Sequence, residues 1–273
     1  SGYSTNEITP IFSGGTSLSK GYGLIQRFSE DIDFQIMSKI PTNRMTRRTY
    51  RTEIIDLINN QEEFSVDIDN VESANNSNFF SFNISYPKTQ ELDNSLRANL
   101  QLEMSFKQGV LPVENCNIQS FVAQFTKEDA ETNIDCISPA KTAADKFSAL
   151  LWRINARDHN QRLGDSKNDP TIIRHLHDLS ALEEIALTDQ NFVSIVHATF
   201  AEDSERGGVS KDLSLKESAK KALHDLGNYK AYRNEYRQFV DAMSYASEQD
   251  RINFETARAS FKRIIDIVTG KTI

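Results

Sequence analysis

The sequence has few of the residues that staple a chain or carry it into a membrane. Its two cysteines, Cys116 and Cys136, are too few for a disulfide framework or a zinc site in 273 residues, and read as packed thiols. No apolar run approaches the roughly 20 residues of a membrane span, and the N-terminus lacks the basic-then-apolar order of a secretory signal. A cytoplasmic protein with no membrane partner is expected. A basic excess is also missing: 31 Lys and Arg stand against 39 Asp and Glu, a net charge of -8. That excludes non-specific coating of nucleic acid but leaves local contact with RNA open, because steering depends on patches. No Gly-Lys-Ser/Thr follows a glycine at Walker spacing, and Gly21-Tyr22-Gly23 does not extend to a dinucleotide pattern. There is no internal repeat and no low-complexity tract. What remains, with 38% hydrophobic residues, is a polar-surfaced chain long enough for one large domain or two modest ones.

The informative stretch runs from Phe12 to Phe34. A short apolar entry leads into Ser13-Gly14-Gly15-Thr16-Ser17, where glycines remove the Cβ atoms that keep a phosphate from the backbone. A helix is expected from Thr16 through Leu18, Tyr22, Leu24 and Ile25, with Gly21 and Gly23 as weak points, so that an anion meets its positive end. Next, Asp31 and Asp33 alternate with Ile32 and Phe34. On a strand both aspartates leave by one side while the apolar pair packs beneath. Two carboxylates on one face need a third ligand to hold a divalent cation, and hard oxygens point to Mg²⁺ or Mn²⁺ over zinc. Each half alone is commonly just a turn or a solvated face; their order and close spacing favour function.

Ser13-Gly14-Gly15-Thr16 followed by Ser29-Glu30-Asp31-Ile32-Asp33-Phe34 resembles the signature of the DNA polymerase β-like nucleotidyltransferases. More narrowly, Gly-Gly-Thr-x-Leu-x-Lys, ending at Lys20, with Arg27-Phe28-Ser29-Glu30-Asp31-Ile32-Asp33-Phe34, is similar to the AbiEii/AbiGii toxin family, which includes the MenT toxins. The resemblance covers about Ile11 to Leu182. It implies a polymerase β-like α+β fold, a mixed sheet with flanking helices over residues 1–135, and a C-terminal helical domain over 136–273 completing the cleft. Because the chain begins close to the glycine loop, a preceding segment that completes the sheet is expected.

Further along, Pro41-Thr42 offers an N-cap to a helix over Asn43 to Asn60, with an apolar stripe of Met45, Ile54, Ile55, Leu57 and Ile58 and a basic face of Arg44, Arg47, Arg48 and Arg51. Alternation predicts strands over Phe64 to Val71 and Asn78 to Tyr86, joined by a polar loop over Glu72 to Ser77. Asp67 and Asp69 there form a second Asp-x-Asp pair, ranked low because no glycine loop precedes it. Arg97 to Lys107 puts Leu100, Leu102, Met104 and Phe106 on one face and Glu103 on the other, where the superfamily's third carboxylate is expected. Val110 to Val113 and Ile118 to Phe125 read as strands. From Ser138-Pro139 the chain turns helical: to about Arg157, then Thr171 to Ala186 after Asp169-Pro170, and on through segments near 189–201, 215–226, 229–247 and 249–268, with a loop over Glu202 to Ser214.

Lys146 in Ala144-Asp145-Lys146-Phe147-Ser148-Ala149-Leu150, and His175-Leu176-His177-Asp178-Leu179, are similar to the family's lysine and final-aspartate elements. The resemblance implies that Lys146 contacts the triphosphate with Asp178 beside it. Arg157-Asp158 departs from the pattern, being separated from Asp178 by an insertion containing Gly164 and Pro170. His175 and His177, two apart on a helix, do not share a face and are not read as a metal pair. The implied chemistry is NMP transfer from an NTP to an acceptor hydroxyl, with Asp31, Asp33 and Glu103 holding the metal. Ser13, Gly14, Gly15, Thr16, Ser17, Lys20, Ser29 and Lys146 serve the nucleotide. Implied partners are an RNA acceptor, often a tRNA 3' end, and a cognate antitoxin. Two other classes stay open: transfer onto a protein hydroxyl, Ser29 included, and a silent nucleotide-binding module.

Overall fold

The computed structural model describes residues 7–29, 31–87, 99–108, 111–159, 168–205 and 212–270. The chain divides into two compact units, Ser1–Gly23 with Ser29–Ser138, and Leu24–Phe28 with Pro139–Ile273.

In the first unit, the sheet is built from β1 (Ile8–Ser13), β2 (Asp31–Ser38), β3 (Ser65–Val66), β4 (Glu72–Ala74), β5 (Phe79–Ser85), β6 (Leu100–Gln108), β7 (Val113–Ile118) and β8 (Thr132–Ile137). Its order is β3-β5-β6-β2-β1-β8-β7, with β4 paired to β5. β2 runs parallel to β6 and antiparallel to β1, so the sheet is mixed. Side chains alternate across it. One face is apolar: Ile8, Ile36, Phe80, Phe82, Ile84, Leu102, Met104 and Phe106 are buried together against Tyr50, Ile54 and Ile55 of α2 (Arg44–Asn59). The opposite face carries the carboxylates, and turns apolar where Ile11, Leu111 and Ile137 cluster with Met37. Cys116 and Cys136 are buried free thiols, as their isolation in the sequence implies.

Several local readings are corrected. α1 (Gly14–Lys20) stops at Gly21, so Tyr22, Leu24 and Ile25 do not continue it; Gly23 adopts φ +65, a left-handed turn cheap only for glycine. Asn43, not Thr42, caps α2, its side chain accepting from the Thr46 amide at 2.9 Å. Met45 and Leu57 of the expected stripe are exposed, whereas Arg47 is buried and donates to the carbonyls of Thr42 and Asn76 at 2.6 and 3.0 Å. The Phe64 to Val71 strand survives only as β3, because the Asp67 carboxylate accepts from the Asp69 amide and folds Ile68–Asn70 into a 3-10 turn. The expected loop after it contains β4. Phe121–Thr126 is not strand but a helix, α3, capped by the Ser120 hydroxyl at 3.0 Å from the Ala123 amide. β8, of weak alternation, was not foreseen.

The second unit is helical: α4 (Pro139–Ala156), α5 (Arg174–Ala181), α6 (Glu183–Thr188), α7 (Phe192–Glu205), α8 (Leu215–Asn228), α9 (Lys230–Phe239) and α10 (Phe254–Val268). The helix expected over Thr171 to Ala186 begins as a 3-10 turn at Pro170–Ile173, capped by Asp169, and breaks at Leu182. The one expected over Tyr229 to Ser247 ends at Phe239, followed by a 3-10 turn at Asp241–Met243. α7 runs into the expected loop as far as Glu205; Gly207 and Gly208, like Gly164, Val110 and Glu30, lie outside the described residues. Leu24–Phe28 joins this unit through the Phe28 amide to the Met243 carbonyl at 2.8 Å and the Tyr245 amide to the Gln26 carbonyl at 3.1 Å.

Gly14 and Gly23 both have left-handed backbones, but differ in surroundings. A Cβ on Gly14 lands 1.8 Å from Oδ2 of Asp33, while one on Gly23 meets nothing within 4 Å. Gly14→Ala is therefore expected to cost more than about 2 kcal/mol of unfolding free energy and Gly23→Ala about 1 kcal/mol, a difference that urea denaturation of the two variants reads directly.

Candidate active site

Pairing sets the carboxylate face. β1, β2, β6 and β5 are aligned so that Ser13, Asp33, Glu103 and Ser81 form one cross-strand row, and Asp31, Gln101 and Asn83 form another. Register partners share a face, so Asp33 and Glu103 stand side by side with Asp31 two positions along. All three are half-buried, and Gln101 Nε2 donates to Glu103 Oε1 at 3.0 Å. The third carboxylate lies where the alternation of β6 puts it. Asp67 and Asp69 are in the 3-10 turn instead.

Residues 14–17 are the first turn of α1 rather than a loop, and the position a Gly14 Cβ would take is occupied by the Asp33 carboxylate. Ser13 is buried at the helix entrance with no side-chain cap bond. Ser17 Oγ donates to the Gly14 carbonyl at 3.1 Å, and Thr16 Oγ1 donates to the Asp31 carbonyl at 2.5 Å, tying α1 to the start of β2. Lys20 is at the far end of α1, about 9 Å along the axis from Gly14. Its ammonium lies over the Phe121 ring, and desolvation lowers its pKa despite Glu131. Lys20 is thus not gathered with the carboxylates. Ser29, two residues before β2, is half-buried.

The donor set fits a hard divalent cation: three carboxylates on one face, with no sulfur or imidazole among them. They are not drawn into a closed cluster, for among the described residues no three His, Cys, Asp or Glu are grouped to hold a metal.

A second charged group lies in the helical unit. Asp178 of α5 is fully buried and accepts from four donors: Arg27 Nε at 2.8 Å and Nη2 at 2.6 Å, Lys146 Nζ at 2.9 Å, and His177 Nδ1 at 3.1 Å. Burial pushes its carboxyl up, but Arg27 and then Lys146 outweigh that and hold it well below the usual carboxylate range. Such a carboxylate cannot take a proton near neutrality; it anchors cations. Desolvation, reinforced by Lys146, likewise holds His175 well below its ordinary value, so it stays neutral. Lys146 and Asp178 are brought together as the resemblance implies. Arg27 was missed: it stood inside the quoted motif, yet no local spacing announces a partner 151 residues away. Arg157 is elsewhere, paired with Glu235 and set over the Tyr232 ring.

A polar sheet face bearing paired carboxylates, in a chain that also carries a buried lysine held by an aspartate, suits an enzyme that handles phosphates. The family comparison makes this specific. Residues 4–264 match the family described as nucleotidyl transferase AbiEii toxin, type IV TA system, and the chain belongs to that family; it is a nucleotidyltransferase. No curated protein matches the chain. Among solved structures it is similar to MenT4, a nucleotidyltransferase toxin from Mycobacterium tuberculosis H37Rv, at 15% identity and a TM-score of 0.48, covering 98% of this chain and 77% of that one. The assignment rests on the family match. No helix among the described residues is long and apolar enough to cross a membrane.

Removing Arg27 leaves Asp178 buried with fewer cations. Arg27→Met is expected to lower stability at neutral pH by about 3–5 kcal/mol. In the wild type the Asp178 carboxyl is depressed, so its contribution is complete above about pH 4 and is lost only in strong acid. In the variant that loss moves up toward the ordinary carboxylate range, which urea midpoints measured across acid pH will show.

Proposed function

We propose that this chain transfers a nucleoside monophosphate from an NTP to a hydroxyl of RNA, at a tRNA 3' end, releasing pyrophosphate as the toxin of a toxin–antitoxin pair whose antitoxin opposes it. The observation that carries the transfer reaction is the register of Asp33 with Glu103, with Asp31 on the same face. Asp31, Asp33 and Glu103 would hold Mg²⁺ or Mn²⁺, which when bound neutralises phosphate charge and aligns the reacting oxygens.

The remaining work falls to side chains. Arg27 and Lys146 both reach the Asp178 carboxylate, a concentration of cations that would favour an anion beside them. Lys146 spends one of its three protons on Asp178, which leaves donors for the β- and γ-phosphates. Asp178 acts as a positioning residue that fixes the direction of that ammonium. Ser13 and the first turn of α1 would offer the nucleotide backbone amides, and Lys20 and Ser29 are secondary. The reaction asks for position and charge compensation more than covalent chemistry. The antitoxin is supported by the family's description as a type IV toxin–antitoxin toxin, and the RNA acceptor is our extension of the resemblance. Ser29, close in sequence to Asp31, is the reason to keep transfer onto protein as the second reading.

The test is incubation with Mg²⁺, each α-labelled NTP and total RNA, beside Asp31→Asn and Asp33→Asn. Label is expected in RNA from the wild type, reduced about 10³-fold, or roughly 4 kcal/mol, in each variant. Label in the protein alone overturns the RNA acceptor, and label nowhere overturns the transfer.

A further inference from the structure

In the helical unit, α8 and α9 are separated by a single residue, Tyr229, whose ring lies parallel to that of His159, with centroids 3.5 Å apart and planes 6° apart. His159 covers one face of Tyr229, yet Tyr229 stays 41% exposed, so the open area belongs to its other face and its edges. The stack is supported from within. His159 meets the fully buried Tyr232 ring edge-on at 5.7 Å, and Arg157 lies over that ring at 4.8 Å while pairing with Glu235. The Tyr229 amide donates to the Asp225 carbonyl at 3.0 Å, which fixes the backbone that carries the ring. Desolvation, with the positive charges of Arg157 and Lys221, lowers the His159 pKa against Asp225 and Asp158, so the backing ring is uncharged at neutral pH. A flat ring on a rigid support, open on one side, is a place for another planar group to stack.

Cations surround it in a chain whose net charge is -8. α8 buries Leu215, Ala219, Ala222 and Leu226, so Lys216, Lys220, Lys221 and His224 share its outward half, all exposed. Lys216, Lys220 and His224 follow at four-residue spacing, about 6 Å apart along the axis, a ridge that ends about one turn before Tyr229. Lys230, also exposed, follows the ring directly. The two carboxylates of α8 are both engaged: Glu217 accepts from the Ser214 amide at 3.0 Å in a capping box, and Asp225 accepts from Lys221 Nζ at 3.0 Å. Lys216, Lys220 and Lys230 make no ion pair among the described residues. Asp158, exposed next to His159, is the opposing charge, and the lysines outnumber it.

We propose that this surface binds a single-stranded stretch of the acceptor RNA, one base stacking on the exposed face of Tyr229 and the flanking phosphates lying along Lys216, Lys220 and Lys230; it rests on RNA being the acceptor. A ring alone suits any planar ligand, and lysines alone suit any anion. A ring with cations on either side of it suits a chain in which bases alternate with phosphates. A duplex hides its base faces within the stack, and an acidic peptide has no use for the ring, so a single strand is the partner that both features fit. These residues hold the acceptor and touch no reacting atom.

Fluorescence anisotropy of a short fluorescein-labelled single-stranded RNA, titrated with the whole chain in the absence of NTP and metal ion, tests this. Tyr229→Ala is expected to weaken binding about tenfold or more, and Tyr229→Phe to leave it within about twofold. Lys216→Gln together with Lys220→Gln should lower the steepness of log K against log salt by about 1.4, as expected for the loss of two phosphate contacts to a single strand. The same RNA as a duplex, and polyglutamate, should bind weakly and without regard to Tyr229. Circular dichroism and thermal unfolding of each variant, expected to match the wild type, separate loss of contact from loss of fold. Binding unchanged by Tyr229→Ala, binding as weak in Tyr229→Phe as in Tyr229→Ala, or duplex or polyglutamate bound as well as the single strand, overturns the inference. Labelling from α-labelled NTP reads the acceptor separately. Label in RNA, with an apparent KM for RNA raised in Tyr229→Ala and kcat kept, supports the surface; label in RNA with that KM unchanged overturns the surface and leaves the transfer standing. Tyr229-dependent binding with no label in RNA overturns the transfer alone.

Discussion

A carboxylate with no exposure to water is tolerable only in the company of cations, and Asp178 is such a group. Its requirement organises the helical unit. α5 supplies the carboxylate, α4 supplies Lys146, and the short segment Leu24–Phe28 supplies Arg27, whose fork takes both carboxylate oxygens. Arg27 is itself almost fully buried, and its remaining Nη1 donates to the Phe28 carbonyl at 2.9 Å. The segment is therefore more than a connection: it is the counter-charge without which the burial of Asp178 is unfavourable. The proposed use of Lys146 toward phosphate rests on this meeting of two cations at one carboxylate.

The sheet unit depends on a different economy of space. Asp33 can stand beside Glu103 on a crowded polar face because Gly14 has no side chain, and the Gly14 backbone angle of +73 would itself resist one. Thr16 then ties the same helical turn to the first residue of β2. On the reverse face the strands are nearly continuous apolar surface against α2, so a slip of one residue in β2 or β6 would exchange carboxylates for Ile32, Phe34, Leu102 and Met104. Register is thus fixed by the core and read out by the site.

Much of this was legible in the sequence where periodicity and chemistry agreed. Asp31 and Asp33 on one face, Glu103 opposite four apolar neighbours, and the change to helix at Pro139 follow from alternation and capping alone. Legibility failed where local hydrogen bonding beat pattern. Asp67 captured its own backbone and ended β3, Ser120 capped α3 where alternation suggested strand, and Arg47 turned inward to carbonyl partners instead of joining a basic face. At Gly14 the closest neighbour of a would-be Cβ is the Asp33 carboxylate, a contact that no sequence pattern announces. Arg27 was out of reach because its partner is set by tertiary packing, which no window of sequence spans.

The central claim is that the α-phosphate is what moves. The most direct measurement compares acceptor labelling from NTP carrying label at the α-phosphorus with that from NTP labelled at the γ-phosphorus, with pyrophosphate and phosphate release followed together. The account predicts label from the α position only and one pyrophosphate released per nucleotide transferred. Label arriving from the γ position, or phosphate released in place of pyrophosphate, would contradict it.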